Sequence, residues 1–255
     1  AWYGDLEWNA RPYFVIVGEC SRTLRMAQEI LNERPDMLCH GELFDATTIR
    51  FADDADRFAG YGSGDLKLRD QKPQNFLVDI LNESPDKLTG YLWLHGPYLE
   101  SGHPKRLNPR RNMAELHSWD HNANLLVIRR NPEVLFEEAL DNKNASNNDD
   151  RFLAEGFARF YSGYLDDYFK ISEAANCSGA KIRFLYVAHD DEAVLRETLG
   201  QDSDAQGGAT IWPADGGAIN ARGWNAASEV IRNPELKNIA RAVERGYHKR
   251  THGKE

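Results

Sequence analysis

The run Gly18-Glu-Cys-Ser-Arg-Thr23 follows directly on a short apolar segment, and its residue types suit an anion. A turn between a buried strand and a helix N-terminus presents free backbone N–H groups and the positive end of the helix dipole. Gly18 permits a sharp turn, Ser21 and Thr23 offer hydroxyls, and Arg22 and Arg25 offer charge. An ordinary capped strand–helix turn is the competing reading. The second candidate is Arg129-Arg130-Asn131-Pro132, at the end of the most strand-like run in the chain. Guanidinium forks match phosphate geometry, although a charged strand end can also simply meet water.

Two further residues stand out, one as a candidate for proton transfer and one as a carboxylate that needs a partner or a role. His95 follows a predicted strand, and an imidazole with a near-neutral pKa suits removal of a proton from a hydroxyl. Glu42 stands in the otherwise apolar Gly41-Glu-Leu-Phe44, where an unpartnered carboxylate would be costly to bury. His117 and His121 fall one helical turn apart but lack an evident third ligand, so no metal is expected.

The elements that must position these residues alternate between strand and helix. Pro12–Val17 reads as a strand buried on both faces. From Ser21, Leu24, Ala27, Ile30 and Leu31 share one helical face, and Pro35 lies beyond the end. Strands are expected at 37–44, 88–95, 124–129 and 181–187. Helices are expected at 74–81, 113–123, 132–140, 151–175 and 190–199, with two helical pieces broken at Asn233-Pro234. The aromatics Phe157, Phe160, Tyr161, Tyr164 and Tyr168 have core spacing. Polar residues 45–72 read as a flexible surface excursion, and the Gly/Asp/Ala-rich 201–223 as another. The pattern predicts one α/β domain over 1–255, a mainly parallel sheet flanked by helices, with ligands at the carboxyl ends of its strands.

Composition narrows the classes. A net charge of -9 gives no general nucleic-acid footprint, while 41% hydrophobic and 28% charged residues are ordinary for a soluble globular chain. No apolar run approaches the roughly 18 residues of a membrane helix. The opening Ala-Trp-Tyr-Gly-Asp has neither the basic flank nor the apolar stretch of a signal peptide, and without Met it leaves trimming open. Three scattered cysteines suggest no disulfide framework, so a reducing, cytoplasmic setting is the default expectation.

Four blocks in order resemble the sulfotransferases that use 3′-phosphoadenosine 5′-phosphosulfate (PAPS), especially bacterial and carbohydrate-type members. Phe14–Gly18 with Leu31–Pro35 and Cys39–Phe44 resembles the family's opening, and Leu126–Pro132 its second signature. Phe184-Leu-Tyr186 with Leu199-Gly200 is similar to its late strand, and Ser228–Leu236 to its C-terminal segment. The resemblance implies a P-loop-like sulfotransferase fold and a metal-free transfer from PAPS to a small-molecule or carbohydrate acceptor. It assigns Gly18, Ser21, Arg22, Thr23 and Arg25 to the 5′ phosphosulfate turn, Arg130 to the 3′-phosphate, and Glu42 or His95 to the base. Glu138 and Tyr186 fall at further nucleotide-site positions. Thr23 stands where the family has glycine, Arg25 where it has a hydroxyl and Glu138 where it has serine. A non-catalytic binding protein on the same fold is therefore the alternative.

Overall fold

A computed structural model describes residues 11–18, 21–45, 47–52, 56–94, 121–141, 150–187, 192–199 and 223–252. Five strands form one parallel sheet: β1 (Tyr13–Gly18), β2 (Met37–Glu42), β5 (Leu88–Leu94), β6 (Ala123–Arg130) and β7 (Lys181–Val187). Their order is β2-β5-β1-β6-β7, so β1 lies in the middle and β2 on an edge. A separate two-stranded antiparallel hairpin joins β3 (Arg57–Phe58) to β4 (Tyr61–Gly62). The helices are α1 (Ser21–Asn32), α2 (Leu66–Gln71), α3 (Pro73–Asn82), α4 (Pro132–Asp141), α5 (Asp150–Ser178), α6 (Glu192–Leu199) and α7 (Pro234–His252).

Both faces of the sheet are covered, which explains the unbroken apolar runs. Successive residues of a strand point to opposite faces. Tyr13, Val15 and Val17 of β1 pack with Leu125 and Val127 of β6, with α3 through Phe76, Leu77, Ile80 and Leu81, and with Ile171 of α5. Phe14, Ile16, Leu126 and Ile128 face the other way, onto Leu24, Ala27, Ile30 and Leu31 of α1 and Leu195 and Leu199 of α6. A third cluster joins α4, α5 and α7 through Phe136, Phe157, Tyr161, Tyr164 and Tyr247. The aromatic stripe of α5 is thus packing surface. The side chain of Tyr168 lies outside the described residues.

Several expected elements differ in detail. β2 stops at Glu42, because the next residues turn back: the N–H of Asp45 donates to the carbonyl of Glu42 at 3.4 Å. Residues 45–72 are not a simple surface excursion. They carry the β3–β4 hairpin and α2, and they bury Ile49, Phe51, Ala52 and Arg69. Ala123 opens β6 instead of closing a helix. Of the final two pieces, Gly223–Val230 is 3-10 and Pro234–His252 is α. Asn233 separates them and caps α7, its side-chain oxygen accepting from the N–H of Glu235 at 2.9 Å. Most of 113–123 and nearly all of 201–223 lie outside the described residues. Among those described, no helix is long and apolar enough to cross a membrane.

β6 is buried over its whole length, so it should dominate stability. Leu126→Ala is expected to cost about 3–4 kcal/mol in urea unfolding. Leu68→Ala, at a position 55% exposed, should change stability by less than about 0.5 kcal/mol.

Candidate functional site

The register of the sheet sets what meets at its carboxyl edge. Gly18, the last residue of β1, is level with Leu94 of β5 and Ile128 of β6. Arg130 stands two residues beyond Ile128, level with Val187. Glu42, on the far side of β5, is level with Leu92. His95 follows Leu94 directly and lies outside the described residues.

Gly18 ends β1 where the chain must return over the sheet as α1. A Cβ on Gly18 would come within 2.8 Å of the Leu24 side chain, so a larger residue there would displace Leu24 of α1. Ser21 opens α1 and its side chain is not described. Arg22 and Arg25 are exposed, and Thr23 is only 2% exposed. The first turn of α1 contains no acidic residue, which leaves the positive end of the helix without an internal counter-charge. This end of α1 suits an anion electrostatically, with the exposed Arg22 and Arg25 in its first two turns. Thr23 is enclosed within the packing, so its hydroxyl is not open to solvent.

The two arginines ending β6 have different surroundings. Arg129 is 1% exposed, and its Nη2 donates to the backbone carbonyl of Tyr164 on α5 at 3.1 Å. Its guanidinium carbon lies 3.8 Å from the centre of the Tyr164 ring, a close cation–π contact. The Tyr164 hydroxyl in turn donates to the carbonyl of Arg130 at 3.3 Å. Arg129 therefore binds β6 to α5. Arg130, 5% exposed, alternates onto the opposite face, the one covered by α1. Of the pair, Arg130 shares a sheet face with the helix N-terminus of the first candidate site.

The turn after β6 is also a docking point. Asn131 caps α4 by accepting from the N–H of Glu133 at 2.9 Å, and its Nδ2 donates to the carbonyl of Val230 at 2.8 Å. The Glu133 carboxylate accepts from the N–H groups of Arg232 and Asn233 at 2.6 and 3.1 Å. Buried Glu244 of α7 accepts from the Tyr161 hydroxyl at 2.6 Å and from the Ser228 hydroxyl at 2.8 Å. The C-terminal segment is thereby fixed to the strand that carries Arg130. Glu138 lies on α4 and Tyr186 on β7, level with Arg129; their side chains are outside the described set.

Glu42 closes β2 with a carboxylate 13% exposed, 3.8 Å from Nη1 of Arg50. A register shift between His40 and Glu42 marks an irregularity in the strand just before it. The loop after Glu42 is gripped by Arg69 of α2, whose Nη1 donates to the carbonyls of Leu43 and Asp45 at 2.9 and 2.8 Å. Arg69 is 1% exposed and also pairs with Asp70 at 3.0 Å. Nothing in the pattern of 45–72 distinguishes Arg69 from its solvated neighbours, so sequence reasoning passed over it.

The remaining candidates contribute less. Cys39 is buried, and burial pushes its thiol well above the ordinary range, so it is inert as a nucleophile. His121 is exposed in the turn before β6, and His117 lies outside the described residues. Among the described residues, no group of three His, Cys, Asp or Glu side chains could hold a metal.

In comparisons with known proteins, no family model and no curated protein sequence matches the chain.

Removing the Arg69 guanidinium leaves two loop carbonyls without their donor. Arg69→Met should destabilise the fold by about 2–4 kcal/mol in urea titrations. Arg57→Met, which loses one exposed bond to Gly60, should cost less than about 0.5 kcal/mol.

Proposed function

We propose that the chain is a sulfotransferase that moves a sulfuryl group from PAPS to a hydroxyl or amine of a small-molecule or carbohydrate acceptor. One observation carries this reading: a helix with no acidic residue in its first turn and the buried Arg130 share a face and a carboxyl edge of one parallel sheet. A nucleotide with anionic groups at both its 5′ and 3′ ends has the charge distribution to use both. The order β2-β5-β1-β6-β7, opened by a strand, a tight turn and a helix, is compatible with the P-loop-like sulfotransferase fold.

In this reading the backbone after Gly18, with Ser21, Arg22 and Arg25, holds the 5′ phosphosulfate, and Arg130 holds the 3′-phosphate. The acceptor oxygen attacks sulfur in line, the bond from sulfur to the bridging phosphate oxygen breaks, and adenosine 3′,5′-bisphosphate leaves. The acceptor proton passes to Glu42 or His95. Glu42 has the stronger support, because it stands at the end of a sheet strand and the loop after it is fixed by Arg69. Cations at the turn stabilise charge developing on the bridging and sulfuryl oxygens, where most of the rate enhancement arises.

A binding protein that keeps the cleft without turnover is the second reading. The burial of Thr23 favours it, since a residue in the phosphosulfate turn then offers no open hydroxyl. Transfer of labelled sulfate from PAPS to a panel of sugars, phenols and amines separates the two. The enzyme reading predicts turnover that Glu42→Gln lowers about 100-fold, with nucleotide affinity kept within about twofold. Nucleotide binding without transfer to any acceptor selects the binding protein. Turnover lost in His95→Ala but intact in Glu42→Gln moves the base to His95.

A further inference from the structure

His40 is fully buried in β2, yet it makes a hydrogen bond normally left to backbone. The N–H of Ala52 donates to its Nδ1 at 3.0 Å. Two residues earlier, the N–H of Arg50 donates to the carbonyl of Glu42 at 3.2 Å. Residues 49–52 therefore run antiparallel along the free edge of β2, with one rung closed by backbone and the next by an imidazole. The strap is held from its other side as well, by the N–H of Ile49 on the carbonyl of Ser63 at 2.9 Å. It lies close. A Cβ on Gly41 would come within 2.8 Å of the Arg50 Cβ.

Because Nδ1 accepts, the neutral ring carries its proton on Nε2. That atom is buried and has no hydrogen-bond partner among the described residues. The ring lies edge-on to Phe58 at 4.6 Å and to Phe51 at 6.2 Å. A second proton on Nδ1 would oppose the Ala52 N–H and place a cation among aromatic rings. We propose that His40 is a positioning residue whose neutral form holds the strap 47–52 on the edge of β2, and with it Arg50 against Glu42, and whose protonation releases both.

Burial lowers the His40 pKa from its ordinary value to about 4, in keeping with this picture. The open strap binds a proton near 6.5 and the closed strap only near 4, so closure is fully favoured above pH 6.5 and weakens as pH falls between these values. Other charged or titratable groups on the surrounding elements are Glu42 on β2, Asp45 before the strap, Arg50 along it, Arg57 and Tyr61 on the hairpin, Tyr91 on β5 and Arg69 on α2. Burial raises the Asp45 carboxyl, but bonds from Thr47 and Thr48 and the charge of Arg50 hold it below its ordinary value. Desolvation and Asp79 push the Tyr61 hydroxyl up to about 12. The consequence for catalysis rests on Glu42 being the base; the closure itself does not.

Amide hydrogen exchange on the full chain tests this without any activity assay. Protection of Ala52 and Arg50, corrected for intrinsic exchange, should fall about 30-fold from pH 7.5 to pH 5, the ratio set by the two pKa values. Ile16 and Leu126 in the central strands should keep theirs. In His40→Asn the side-chain oxygen still accepts from Ala52 but does not titrate, so protection should become independent of pH. A fall in wild type shared by Ile16 and Leu126, or an unchanged fall in His40→Asn, overturns the proposal. If the variant does not fold, imidazole nitrogen shifts in wild type decide. The Nε2–H tautomer at pH 7.5, titrating in step with Ala52 protection, supports it; the Nδ1–H tautomer overturns it.

Discussion

β1 is paired on both sides along nearly its whole length, and that double pairing fixes every other part of the site. With Gly18 level with both Leu94 and Ile128, the chain can leave β1 only at the same height as β5 leaves and just before β6 does. Parallel strands end on one edge, so Gly18 at the end of β1 and Arg130 at the end of β6 lie on the same edge without any special device. The pairing in turn requires both sheet faces to be apolar and covered, which α1 and α6 achieve on one side and α3 and α5 on the other.

Alternation along β6 then separates two neighbouring arginines into two tasks. Arg129 on one face is held by the Tyr164 ring and carbonyl, and so joins the strand to α5. Arg130 on the other face stays on the side of α1. A buried guanidinium is costly unless its donors are used, and the Tyr164 arrangement supplies both a carbonyl and a π face. The same tyrosine fixes the backbone of Arg130 through its hydroxyl. One aromatic residue thus sets the end of the strand from which the candidate phosphate ligand projects.

Much of this was legible in the residues. Uninterrupted apolar runs, Gly18 after the first and Pro35 after its helix gave the strand–turn–helix opening, because a doubly covered strand has no polar face to disguise it. Pro132 announced α4, since a proline loses nothing at the first helical position. The hidden parts depend on contacts between residues far apart in sequence. Arg69 looks like any helix-surface arginine until α2 packs over the loop after β2. Glu133 reads as a favourable first-turn acid, and only the fold reveals it holding residues 232 and 233, a hundred positions away. His40 hides for a similar reason, since its partner is a backbone N–H in a polar stretch without strand character.

The proposed site consists of two anion positions on one edge of the sheet, one at a helix end and one at a strand end. Neither alone would select PAPS from other phosphates; in the proposed reading, their combination selects a nucleoside phosphorylated at both ends. Titration calorimetry of the full chain with adenosine 3′,5′-bisphosphate and with adenosine 5′-monophosphate tests this most directly. The account predicts that the bisphosphate binds at least about tenfold tighter, a difference of about 1.4 kcal/mol, and that Arg130→Ala removes the preference. Equal affinity for the two nucleotides, or a preference that survives Arg130→Ala, would contradict it.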